Sequence, residues 1–177
     1  KDLIAKAKTG SGKTATFGIG LLTQINPRFF GAQALILCPT RELADQVGKE
    51  LRKLARATPN IKLVLLCGGK PFAPQKASLE HGAHIIVGTP GRVEDHLDRG
   101  TLILDGLNTL VLDEADRMLD MGFNEAITRV IRQTPRSRQT LLFSATYPDS
   151  IQRMCQSILN NPITVSVEAE HTSNVIE

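Results

Sequence analysis

The sequence has no tryptophan and a single tyrosine, and aromatic residues fill only 4% of its 177 positions. Most of the six phenylalanines lie in apolar runs, which leaves too few rings for a surface platform of stacked aromatics. No apolar run approaches the length of a membrane span, and no signal-peptide pattern opens the chain. Neither charge dominates: 21 basic residues against 18 acidic ones give +3, so any basic surface must come from placement rather than surplus. The three cysteines, Cys38, Cys67 and Cys155, are far apart in apolar contexts. They form no metal-ligand spacing or pairing framework, and they read as small buried hydrophobes in a reducing compartment such as the cytoplasm. His81, His84, His96 and His171 have no Cys or His partner at ligand spacing, which points to surface or helix-end positions. Internal repeats and low-complexity tracts are missing too.

What remains describes a soluble globule of one domain, 41% hydrophobic and 22% charged. Short apolar runs stand at 3–7, 34–38, 62–66, 84–87, 109–112, 139–143 and 163–167, and most are continuous Leu/Ile/Val stretches without polar alternation. That is the pattern of parallel strands covered on both faces. Between them come helical spacings: the run 15–25; Leu43, Val47, Leu51 and Leu54; Phe123, Ile127, Val130 and Ile131; and Ile151, Met154, Cys155, Ile158 and Leu159. The expected fold class is therefore α/β, an open, mostly parallel sheet of about seven strands with helices on both faces. Ligands on such a sheet bind at the carboxyl ends of the strands, so the residues just after each strand carry the functional information.

After the first run comes Ala7-Lys8-Thr9-Gly10-Ser11-Gly12-Lys13-Thr14, which departs from the phosphate-loop pattern only in Ala7 for the first glycine. Gly10 and Gly12 let the backbone curl so that N–H groups point at phosphate oxygens, and the following helix adds its positive end. Lys13 would reach the β- and γ-phosphates of a nucleotide, and the Thr14 hydroxyl would ligate Mg²⁺. After the fifth run stands Asp113-Glu114-Ala115-Asp116. Two carboxylates at the tip of a buried strand are costly unless one holds a metal and one handles a proton. Asp113 is expected to hold Mg²⁺, in part through water. Glu114 is expected to orient or deprotonate an attacking water, with a solvated helix-start residue as the plainer alternative. Helix capping accounts for Asp116 nearly as well as any chemistry.

Six segments stand in order along the chain: 7–14, Pro39-Thr40-Arg41-Glu42-Leu43-Ala44, Gly68-Gly69, Thr89-Pro90-Gly91-Arg92, 113–116 and Ser144-Ala145-Thr146. Together they resemble the amino-terminal RecA-like domain of DEAD-box ATP-dependent RNA helicases, over essentially the whole chain. The wider stretches 37–46 and 66–69 are similar to the bacterial DbpA branch of that family, which is associated with large-subunit ribosomal RNA. The resemblance implies a P-loop NTPase fold, ATP and Mg²⁺ as cofactors, and RNA as partner. Pro39, Thr40, Arg41, Gly68, Gly69, Thr89, Gly91 and Arg92 would contact RNA, while Asp116, Ser144 and Thr146 would couple hydrolysis to strand separation.

Elementary chemistry agrees with these roles. Thr89 before Pro90 reads as a helix N-cap with proline at the first helical position, where free N–H groups can meet a phosphate. Arg41 and Arg92 add charged forks, and Glu42 suits holding Arg41 in place. With so few aromatics, the grip on RNA would run through phosphate and sugar and so be independent of base sequence. Both termini read as cut from something longer. Residues 1–167 are expected to form the ATP-binding domain and 168–177 to begin a linker to a second RecA-like domain. An adenine-reading glutamine motif would precede Lys1. Without these parts the chain alone is expected to be nearly inactive. A RecA-like motor acting on DNA and a non-catalytic RNA-clamping module are the alternatives. Nothing in the sequence calls for a membrane or a homo-oligomer.

Overall fold

A computed structural model describes residues 1–8 and 12–167 of the chain. Seven strands form one sheet: β1 (Leu3–Ala7), β2 (Ala34–Leu37), β3 (Leu63–Leu66), β4 (Ile85–Gly88), β5 (Thr109–Leu112), β6 (Gln139–Ser144) and β7 (Ile163–Val167). Their order across the sheet is β3-β4-β2-β5-β6-β1-β7, and every pairing is parallel. The expected strand positions hold to within a residue or so at each end.

The apolar runs lack alternation because both faces are covered. Leu35, Leu37, Ile86, Leu110, Leu112 and Leu142 point into one core, and Ala34, Ile36, Ile85, Val87, Val111 and Phe143 into the other. Helices α1 (Lys13–Gln24) and α2 (Arg41–Leu54) seal the second face through Phe17, Leu21, Val47 and Leu51. The first face is covered by α3 (Phe72–Glu80), α4 (Pro90–Asp98), α5 (Ala115–Asp120), α6 (Asn124–Arg132) and α7 (Asp149–Ile158). Helix α3 has no apolar stripe to announce it, and proline stands third in it, where no intrahelical N–H is needed. No helix among the described residues is long and apolar enough to cross a membrane.

Three side-chain expectations need correction. His84 is fully buried rather than at the surface or a helix end, and His96, though in the last turn of α4, is fully buried too. His84 accepts from the Lys62 N–H at 3.0 Å and reaches the Pro27 carbonyl at 3.0 Å, and His96 lies between Thr101 and Gln75. Partners from distant segments satisfy both rings, which is what makes the burial tolerable. Phe29 and Phe30 are half exposed despite their apolar neighbourhood. The cysteines are free and buried, and burial pushes the Cys67 thiol up to about 11. His81 is exposed at the end of α3, and His171 lies outside the described residues, as does the expected linker at 168–177.

Asp2, just before β1, has a buried carboxylate. It accepts from the Thr140 N–H at 2.9 Å and the Asn160 N–H at 2.6 Å, pinning β1 between β6 and the approach to β7. Asp2→Ala is expected to cost about 1–3 kcal/mol by stranding those two donors. Equilibrium urea unfolding measures this as a fall in midpoint at unchanged slope.

Candidate functional site

Because the sheet is wholly parallel, all seven carboxyl ends open on one edge, and the segments singled out in the sequence lie along it. They divide by strand. The loop after β1, the acidic segment after β5 and Ser144–Thr146 after β6 occupy one half of the sheet order. Residues 39–41 after β2, 68–69 after β3 and 89–92 after β4 occupy the other.

In the first half, Ala7 closes β1 and is buried, Lys8 is exposed, and Gly12 precedes α1 in a left-handed conformation with φ 72°. That backbone favours glycine, in keeping with a curled loop. Thr9, Gly10 and Ser11 lie outside the described residues. Lys13 and Thr14 open α1 and are buried. The Lys13 ammonium stands 2.6 Å from Oδ1 of Asp113, a close buried ion pair. Oδ2 of Asp113, fully buried, meets no donor among the described residues. Burial raises the pKa of this carboxyl above the ordinary value, and Lys13 opposes the rise. Cys38 lies near enough that burial first, then Asp113, pushes its thiol well up and keeps it protonated. Glu114 follows with φ 51° and is 9% exposed; its Oε2 lies 3.4 Å from Nη1 of Arg117, one turn along α5.

These groups fit a hard cation. Thr14 and Asp113 supply oxygen donors, and one carboxylate oxygen is buried without a donor. Among the described residues no cluster of three His, Cys, Asp or Glu exists to cage a metal. A cation here would draw most of its ligands from water and phosphate, which is the habit of Mg²⁺.

Asp116 does not cap α5; Glu114 occupies that place. Its Oδ2 accepts from both the hydroxyl (2.8 Å) and the N–H (3.1 Å) of Thr146, and its Oδ1 from the Arg117 N–H at 3.0 Å. Burial pushes its pKa up, but the Thr146 and Arg117 bonds outweigh that and hold it below the ordinary carboxylate value. Ser144 donates to the Thr146 carbonyl at 2.8 Å, so neither hydroxyl is spent on capping α7. The ends of β5 and β6 are thus tied together.

In the second half, Pro39 ends the turn after β2 and Thr40 caps α2, its hydroxyl accepting from the Leu43 N–H at 3.2 Å. Arg41 is half exposed, lies 3.9 Å from Glu42, and presses on Gly69, where an added Cβ would be 3.1 Å from Nη1. Gly69 has φ 74°, a left-handed backbone in which any other residue would be strained. Thr89 is the N-cap of α4, but its hydroxyl does not cap that helix as expected; it accepts from the Gly68 N–H at 3.2 Å. The hydroxyl thereby ties the β3 loop to the helix start instead. Gly91 has open space around it. Arg92 is more enclosed than a free fork, its side chain 16% exposed, with Nη1 donating to the Lys70 carbonyl (2.8 Å) and to Oε1 of Gln75 (3.1 Å).

Two participants escaped sequence reasoning. Arg117 is signalled by its i,i+3 spacing from Glu114. Gln75 carries no such signal, since its partners come from two other segments, the end of β3 and helix α4.

Comparison with known proteins places this geometry. The sequence profile of the DEAD/DEAH box helicase family matches residues 1–154. The chain is 59% identical over its whole length to the ATP-dependent RNA helicase DbpA of Escherichia coli. It is 48% identical, over 96% of its length, to the DEAD-box ATP-dependent RNA helicase CshA of Geobacillus kaustophilus. It spans 39% and 36% of those two proteins. Among solved structures, a DEAD box protein of Methanococcus jannaschii superposes with a TM-score of 0.90 at 41% identity, over 94% of this chain and 45% of that one. A Saccharomyces cerevisiae Dbp5 variant bound to Nup159, Gle1, IP6 and ADP gives 0.82 at 35% identity, over 94% of this chain and 43% of that one.

Proposed function

The chain belongs to the DEAD/DEAH box helicase family, and from that premise we propose that it is the ATP-binding half of an ATP-dependent RNA helicase. The observation that carries the reading is the division of the sheet edge: phosphate-loop and acidic residues follow β1, β5 and β6, while the arginine, glycine and helix-start residues follow β2, β3 and β4. Two ligands can sit side by side without sharing a side chain, and the Asp116–Thr146 bonds lie within the nucleotide half, where a change at the phosphates is felt first.

In the nucleotide half the 7–14 loop cradles phosphate, and Lys13 exchanges Asp113 for the β- and γ-phosphates. Thr14 and Asp113 hold Mg²⁺, which supplies charge neutralisation at the transferred phosphoryl group when bound. Glu114 takes a proton from the attacking water, with Arg117 steadying its carboxylate. Asp116, Ser144 and Thr146 pass the change to the RNA. In the RNA half, α2 and α4 offer N–H groups at their starts, Arg41 and Arg92 add charge, and the glycines at 68, 69 and 91 leave room for backbone. A second RecA-like domain completes both sites, and closure of the two separates a local duplex. Ribosomal RNA is the substrate class that the likeness to the DbpA branch favours, and a reducing cytoplasm suits the three free cysteines.

In the full-length protein, Arg41→Ala is expected to raise the RNA concentration for half-maximal ATPase about tenfold, the loss of one charge-assisted contact, with ATP KM within about twofold. RNA, and not DNA of the same sequence, should stimulate turnover. Equal stimulation by DNA selects the DNA-motor alternative, and a rise in ATP KM without an RNA effect overturns the division of the edge.

A further inference from the structure

The hydrogen bonds of the RNA half converge on a buried amide that none of the strand-end motifs contains. Gln75 of α3 donates through Nε2 to the Cys67 carbonyl at 3.1 Å. This bond fixes the amide's orientation, because a carbonyl accepts only from the nitrogen. Oε1 therefore faces two donors, Nη1 of Arg92 at 3.1 Å and Nε2 of His96 at 2.8 Å. Nε2 of His96 faces an acceptor oxygen and so donates to it, while burial first and then Arg92 push the His96 pKa below the ordinary value. The Thr101 hydroxyl lies 2.7 Å from Nδ1, and Phe72 stacks on the imidazole at 4.1 Å, holding the ring from behind.

We propose that Gln75, backed by His96, is a positioning residue that aims Arg92 and the 67–70 loop at the RNA backbone. The inference rests on the reading of Arg92 as an RNA contact. The amide joins the end of β3, through Cys67, to α4, through Arg92 near its start and His96 in its last turn. Nη1 of Arg92 is committed to Gln75 and to the Lys70 carbonyl, whereas Nη2 makes no hydrogen bond among the described residues and is left for a phosphate. A planar fork held by one nitrogen keeps its plane and direction, so little freedom is lost when the other nitrogen binds.

A double-mutant cycle in the full-length protein tests this, read by fluorescence polarisation of a fluorescein-labelled oligouridine with a non-hydrolysable ATP analogue. Gln75→Met keeps the volume and removes both ends of the amide. It should weaken RNA binding about tenfold, while ADP affinity, which reports the other half of the edge, stays within about twofold. Arg92→Ala should weaken RNA binding at least as much, and the double variant should match Arg92→Ala alone. Additive losses mean that Gln75 does not act through Arg92 and overturn the proposal, as does a Gln75→Met protein with unchanged RNA affinity. If Arg92→Ala itself has no effect, the underlying reading of Arg92 fails instead. Should Gln75→Met not fold, Gln75→Asn carries the same cycle, its amide one methylene too short to span Cys67 and Arg92 together.

Discussion

Replacing Glu114 by glutamine in the full-length protein is expected to lower RNA-stimulated ATP turnover by about 10²–10⁴ while leaving ATP and RNA bound, the usual worth of a positioned general base. The substitution keeps size and keeps an oxygen for Arg117, whose Nη1 lies 3.4 Å from the carboxylate, so the fold around α5 has no reason to move. What is lost is the acceptor for a proton. Asp113 cannot take its place: its carboxylate is fully buried and, in the proposed site, is committed to the cation. Single-turnover hydrolysis with pre-bound RNA separates the two effects. A slow chemical step with normal affinities is the expected result, and unchanged turnover removes Glu114 from the role of base.

The second large effect concerns the chain by itself. The 177-residue chain is expected to hydrolyse ATP about 10³–10⁵ times more slowly than the full-length protein, the contribution of an arginine finger in phosphoryl transfer. The nucleotide half brings Lys13 to one side of the phosphates, and the chain spans 39% of its relative from Escherichia coli, leaving room there for the opposing half of the site. Phosphate release by the purified chain, alone and with RNA, measures this. Brisk turnover that Lys13→Ala abolishes would show a site complete without a second domain, and would sink the proposal of a shared one.

Much of this architecture could be read from residue types. A strand buried on both faces cannot alternate, so runs such as Leu110-Val111-Leu112 declared a covered parallel sheet, and the strand ends then pointed at the site. The order of the strands could not be read that way. That β2 and β5 are neighbours, with the phosphate-loop and acidic segments following strands on one side and residues 39–41, 68–69 and 89–92 following strands on the other, depends on crossovers that leave no trace in local periodicity. Helix α3 escaped notice for a related reason: it lies on the sheet without an apolar stripe. The buried polar residues were the hardest. His84, His96, Gln75 and Asp2 each owe their burial to partners far away in the chain, 138 and 158 residues away for Asp2, and a polar letter in a sequence reads as exposed until those partners are known.

The backbone at Glu114 has a cost of its own. With φ 51° and ψ 53°, a side-chain-bearing residue occupies a left-handed conformation that costs about 1–2 kcal/mol and that glycine adopts freely. Folding alone would be better served by glycine between β5 and α5, and the sharp reversal there would survive the change. On the proposed reading of Glu114 as base, glutamate stands there at the expense of stability, and thermal robustness and catalytic competence pull position 114 in opposite directions. A residue that the fold would rather do without, held where strand becomes helix, marks the place where this domain has been shaped for what it does rather than for how well it folds.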